Sequence, residues 1–148
     1  MSLSRPSEHT RSGFMKAKEH LTDLALLIEP KSIRHKVPQT FNNAPAGEKD
    51  EVIADISVFA DQRALDSGNP TRVLKGVVIK YPYITEKLEP IIPDGAQVGR
   101  VVMTSLKSGN TAANLTDVDD ATWAAVSAYY EGREQAVAAA LESAPSFE

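Results

Sequence analysis

A mainly β fold of five strands, with a short helix between the third and fourth strands and a long helix after the fifth, is what this sequence predicts. Three stretches carry that expectation. Residues 51–59 (EVIADISVF) alternate Val52, Ala54, Ile56 and Val58 with Ile53, Asp55, Ser57 and Phe59, the two-residue period of a strand with one apolar and one mixed face. Residues 97–115 (QVGRVVMTSLKSGNTAANL) read as two strands folded back at Ser108-Gly109-Asn110, with Gly109-Asn110 as a two-residue turn whose glycine takes the positive-φ first corner. Residues 116–142 read as a helix capped by Thr116 or Asp117, with Asp119 and Asp120 in the first turn where the helix dipole favours acids. Trp123, Val126, Tyr130, Val137 and Leu141 follow at helical spacing, so one side of that helix packs against a partner surface, and Trp123, Tyr129 and Tyr130 are assigned to this packing.

The other elements follow in chain order. Residues 1–13 are polar, contain Pro6 and lack periodicity, which predicts a flexible arm. Residues 21–28 (LTDLALLI) end at Glu29-Pro30, too short a run for a helix that proline would stop. They read as a buried strand, resumed by residues 33–37 after a kink or bulge. Residues 38–50 (PQTFNNAPAGEKD) are rich in Pro, Asn, Gly and Ala and read as a loop, in which Phe41 is either a latch onto the core or an exposed stacking platform. Residues 61–71 are a turn-rich hairpin connection, and residues 72–83 a third strand with a bend or close backbone approach at Gly76. Residues 84–92 favour a short helical turn that Pro90 ends. The expected organisation is an arm over 1–13, a β domain over 14–115, a helix over 116–142 and a tail over 143–148.

Strand, strand, strand, short helix, strand, strand is the order of the five-stranded Greek-key OB barrel, whose helix plugs one end. In that fold the loop after the first strand and the turn between the last two flank the binding face.

The charge of -4 over 148 residues is unevenly spread. Seven Lys/Arg stand against four Asp/Glu in residues 1–40 (+3), two against six in 41–70 (-4), six against three in 71–110 (+3) and one against seven in 111–148 (-6). Basic segments and an acidic end suit a protein that meets an anion on one face only. Cysteine is absent, which removes disulfides and thiolate metal sites and fits a reducing compartment. No apolar run reaches the roughly 18 residues of a membrane span, and the first residues lack the hydrophobic centre of a secretory signal. A soluble, cytoplasmic protein without membrane contact is expected.

The stretches LALLIEPKSI (24–33), DEVIADISVF (50–59), VLKGVVI (73–79), VGRVVMTSLKSGN (98–110) and ANLTDVDDATWAAVSAYY (113–130) resemble the single-stranded DNA-binding proteins of actinobacterial bacteriophages, over about residues 14 to 130. The resemblance implies an OB fold, sequence-tolerant binding of single-stranded DNA and a role in DNA replication or recombination, in the host cytoplasm. The chain lacks the long glycine-rich linker of better-known bacterial relatives, and its final SFE is only faintly like their acidic, phenylalanine-ended tip that recruits replication or recombination proteins.

No enzymatic signature appears: His9, His20 and His35 are scattered, and neither HExxH nor a nucleophile elbow is present. Lys107-Ser108-Gly109-Asn110 lacks a full phosphate loop, and Asp55, Asp61 and Asp66 read as solvated acids rather than metal ligands. A non-enzyme without cofactor or metal is the expectation. Single-strand binding needs cations for phosphates and aromatic faces for bases. The candidate cations are Arg34, Lys36, Arg72, Lys75, Lys80, Arg100 and Lys107, and the candidate platforms Phe41, Phe59, Tyr81 and Tyr83. For each alone the plain reading is a solubilising charge or, for Phe59 and Tyr81, a core residue; their grouping on adjacent strands is what points to DNA. Arg100 and Lys107 matter only if the strand at 72–80 lies beside theirs. A dimer or higher oligomer, setting several sites along one strand, is expected. A structural or interaction module of a phage particle, docking through the acidic, alanine-rich C-terminal helix, is the alternative.

Overall fold

The computed structural model describes residues 13–143; most of the expected arm and nearly all of the tail lie outside the described residues, as do the side chains of Val137 and Leu141. Five antiparallel strands form one sheet: β1 (Ala25–Phe41), β2 (Ala44–Phe59), β3 (Arg72–Ile79), β4 (Gln97–Ser105) and β5 (Thr111–Thr116), in spatial order β3-β2-β1-β4-β5. Helix α1 (Gln62–Ser67) follows β2, α2 (Pro82–Leu88) lies between β3 and β4, and α3 (Asp120–Ser143) follows β5.

The largest departure from expectation lies in residues 38–50, which are not a loop. β1 and β2 continue as a two-stranded ribbon, pairing Val37 with Lys49, Pro38 with Glu48 and Phe41 with Ala44. Asn42 and Asn43 turn the chain with φ of 53° and 63°, the double left-handed corner that fits the twist of a hairpin. Both ribbon strands are edges, so solvent satisfies the backbone groups that Pro38 and Pro45 leave unpaired. The bulge expected after Pro30 is present, as a register shift between Pro30 and Ser32.

Residues 61–71 form a helix rather than a plain turn. Asp61 Oδ1 accepts from Ala64 N at 3.0 Å to start α1, and Gly68 ends it at φ 71°. β3 stops at Ile79, because Pro82 is preset for a first helical turn. Gly76 sits at the expected irregularity: with φ 61° it donates its N–H to Asp55 Oδ1 at 2.9 Å, in a bulge where Lys75 and Gly76 of β3 stand against Asp55 of β2.

The β4–β5 turn has three loop residues, not two. Leu106 N donates to Asn110 O (2.8 Å) and Gly109 N to Leu106 O (3.0 Å), with Gly109 at φ 87°. The glycine takes the last loop position, a left-handed bulge after a type I turn, instead of the first corner. At the start of α3, Thr116 belongs to β5 and Asp119 is the cap, accepting from Thr122 N at 2.7 Å.

Hydrogen bonds from the Thr122 hydroxyl and then its backbone N–H hold the Asp119 carboxyl below its usual value. A depressed carboxyl stabilises the fold above its unfolded pKa and loses that contribution as pH falls through the folded one. The first turn of α3 is therefore expected to loosen in acid, seen as a smaller amide-exchange protection factor at Thr122 below about pH 4. Asp119→Asn removes that pH dependence.

Alternation of β1 and β2 divides the core. Leu26, Ile28, Val52, Ala54, Ile56 and Val58 face one side with Val77, Ile79 and Val101, closed by Ile84 and Leu88 of α2. Ala25, Leu27 and Phe59 face the other, under Val126 of α3 and Ala64 and Leu65 of α1.

The sheet does not close. No β3–β5 pairing exists among the described residues, so the expected barrel is corrected to an open sheet. Part of the free edge of β3 is taken by the preceding chain: Phe14 bridges Val78, Met15 N donates to Val78 O (2.8 Å) and Val78 N to Gly13 O (3.0 Å). A 3-10 turn, Ala17–His20, then runs beside Met103 and Ala113. Tyr81 fastens this segment, its hydroxyl donating to Met15 O at 3.0 Å and accepting from Ala17 N at 2.9 Å.

Candidate nucleic-acid interface

α3 covers only part of its face of the sheet. Beyond it, β1, β2 and β3 expose a surface whose centre is Glu51. Arg34 Nη2 donates to Glu51 Oε1 at 2.7 Å, and Lys80 Nζ stands 3.6 Å from Glu51 Oε2. Gln39 joins the two sides: its Nε2 donates to Glu51 Oε2 at 3.3 Å, and its Oε1 accepts from Lys80 Nζ at 2.8 Å. The Glu51 carboxylate is buried beneath these groups while the Arg34 side chain remains 62% exposed, so the guanidinium keeps free donors toward solvent. Lys80 Nζ also lies 4.1 Å from the ring centroid of the exposed Phe14, a cation–π contact. Lys75 stands at the rim, 3.6 Å from Asp55. Arg72 and Lys75 line, with Phe14, Lys16 and Val73, a groove of about 440 Å³ along the edge of β3.

Of the candidate cations, the structure thus brings together Arg34 and Lys80, with Lys75 and Arg72 along the adjoining β3 edge. Arg100 and Lys107 are elsewhere. Arg100 is opposite Thr116 in the β4–β5 pair and Lys107 is in its turn, on the far side of β1 from β3. The expectation that β3 lies alongside this hairpin is therefore not met, because β1 and β2 intervene. Lys36 is on the ribbon, at φ 53° in an irregularity between Arg34 and Val37.

The aromatic candidates divide in the same way. Phe41, 72% exposed at the ribbon tip, is not a latch onto the core, and Tyr83 is exposed in the first turn of α2. Phe59 is 0% exposed and packs edge-on against Tyr129, with centroids 5.5 Å apart at 76°, so it has no face to offer a base. Tyr81 is half-buried and engaged with Met15 and Ala17. Trp123, assigned to helix packing, is instead 56% exposed. Arg133 of α3 lies over the rings of Tyr129 and Tyr130 and pairs with Glu29 of β1.

Phe14, Gln39 and Glu51 are functional candidates that sequence reasoning missed. Glu51 alternates with Ile53 and Asp55 on one strand face, a pattern that places it beside basic neighbours only once the register with Arg34 and Lys80 is known.

No protein-family model, no curated protein and no solved structure matches this chain. Among the described residues, no helix is long and apolar enough to cross a membrane.

Proposed function

We propose that this chain binds single-stranded DNA without sequence preference, as a non-enzymatic protein of DNA replication or recombination, on an OB-type sheet left open between β3 and β5. The neighbour order β3-β2-β1-β4-β5, with a helix after β3, is that of an OB barrel lacking its last pairing, which supports the OB reading. The observation that carries the function is the uncovered face of β1–β3, where Arg34 and Lys80 are fixed around Glu51 next to the exposed Phe14. Positioned cations take phosphates, and Phe14 and Phe41 supply faces on which any base can stack. The edge of β5, and the part of the β3 edge that residues 13–15 leave uncovered, offer a second copy a place to pair, in line with assembly along one strand.

Fluorescence anisotropy with a labelled oligo-dT and a matched duplex tests this. Tighter binding of the single strand, weakening as salt rises, is expected; flat titrations at low salt would sink the proposal. The exposed Trp123 favours the second reading, a protein-interaction module docking through α3. That reading requires Trp123→Ala to abolish partner capture while oligo-dT titrations stay flat.

A further inference from the structure

We propose that His35, Asp50 and Glu89 form a binding site for a divalent transition-metal ion of the zinc class. The three come from separate elements: His35 from β1, Asp50 from β2, and Glu89 from the 3-10 turn Glu89–Ile91 that follows α2. One ligand atom from each lies within 4.8 Å of the others, the one such His/Asp/Glu set among the described residues. The register break between Arg34 and Val37 removes His35 and Lys36 from the strand ladder, and Lys36 adopts φ 53°, so the bulge turns the imidazole toward the 3-10 turn. Asp50 Oδ1 accepts from Lys36 N at 3.1 Å, which fixes the bulge and the carboxylate together.

Spacing and chemistry fit an ion. His35 Nε2 and Glu89 Oε1 are 3.2 Å apart. Two ligands of one tetrahedral zinc at 2.0–2.2 Å stand about 3.3–3.6 Å apart, so a small separation of the pair admits the ion. Asp50 is the third ligand: its Oδ2 stands 3.4 Å from His35 Nδ1, and one of its carboxylate oxygens lies within 4.8 Å of both a His35 ring nitrogen and a Glu89 oxygen. Two carboxylates balance the charge of the dication, and solvent completes the coordination of this half-exposed site. The adjoining groove of about 430 Å³ is lined by four carboxylates, Glu48, Asp50, Glu86 and Glu89, against two lysines, so the surroundings favour a cation. One imidazole with two carboxylates selects zinc over magnesium or calcium, which prefer all-oxygen sites, and over manganese, which binds such ligand sets more weakly. The bound ion ties the β1–β2 ribbon to the turn after α2 and restrains the ribbon that carries Phe41.

Calorimetric titration of the full chain, first stripped with EDTA, tests the site with no nucleic acid present, so its outcome is separate from the DNA-binding reading. One zinc per chain is expected, with weaker manganese binding and no magnesium binding. His35→Ala and Glu89→Gln should each weaken zinc by at least the tenfold that loss of a supporting residue costs. Should His35→Ala fail to fold by circular dichroism, Glu89→Gln, on an exposed turn, carries the test. Zinc should also slow amide exchange over residues 37–49. Absence of saturable zinc binding, or undiminished binding in the variants, overturns the site. Binding that leaves ribbon exchange unchanged overturns the restraint.

Discussion

Phe59→Ala is expected to destabilise the protein by about 3–5 kcal/mol, read as a lower urea midpoint at unchanged slope. Phe59 ends β2, is fully buried, and joins the sheet to α3 through Tyr129. Truncation removes its transfer energy, leaves a cavity that a sheet packed against a helix cannot collapse, and loses an edge-to-face contact of about 0.5–1.5 kcal/mol. Phe41→Ala should behave in the opposite way. At the ribbon tip it touches no core, so stability should change by less than about 0.5 kcal/mol. Its loss should cost roughly 1–3 kcal/mol of oligo-dT affinity if a base stacks there. Two phenylalanines in one polypeptide thus separate folding from binding. Weak DNA binding by Phe59→Ala at a temperature where it is fully folded would contradict that separation.

Why the sequence distinguished these residues poorly is a matter of range. Alternation over residues 51–59 is local and marked the strand correctly, and Gly76 was legible because glycine's conformational freedom is local too. The ribbon over 38–50 was misread because Pro38, Pro45, Gly47 and two asparagines are usual loop residues; pairing across an isolated ribbon tolerates them, since solvent reaches both of its outer edges. The open seam had no local signal at all. The segment that lies along it is held by the Tyr81 hydroxyl reaching Met15 and Ala17, more than sixty positions back in the chain. The site shows the same limit. Charge alone picked out Arg34, Lys75 and Lys80 as candidates, but their placement requires a register that bulges in β1 and β3 displace, and the β1 bulge also brings His35 toward Glu89.

Arg34→Ala combined with Lys80→Ala is expected to weaken oligo-dT binding and to flatten its salt dependence. Each single-strand phosphate contact contributes roughly 0.7 to the log–log salt slope, so losing two should reduce it by about 1.4. The pair also has a structural cost, because both cations serve Glu51. Without them the buried carboxylate retains, among the described residues, only Gln39 as a direct side-chain partner, an imbalance that costs about 1–3 kcal/mol of stability. A third substitution separates the two effects. Glu51→Gln in the double variant replaces the stranded charge with a neutral amide, so stability should recover while DNA affinity stays low. In the otherwise unchanged protein, Glu51→Gln should instead raise affinity, because it removes a negative charge beneath the phosphate path while both cations remain. Should the folded double variant bind oligo-dT like the parent, the β1–β3 face is not the interface, and Arg100 and Lys107 on the β4–β5 hairpin become the cations to replace next.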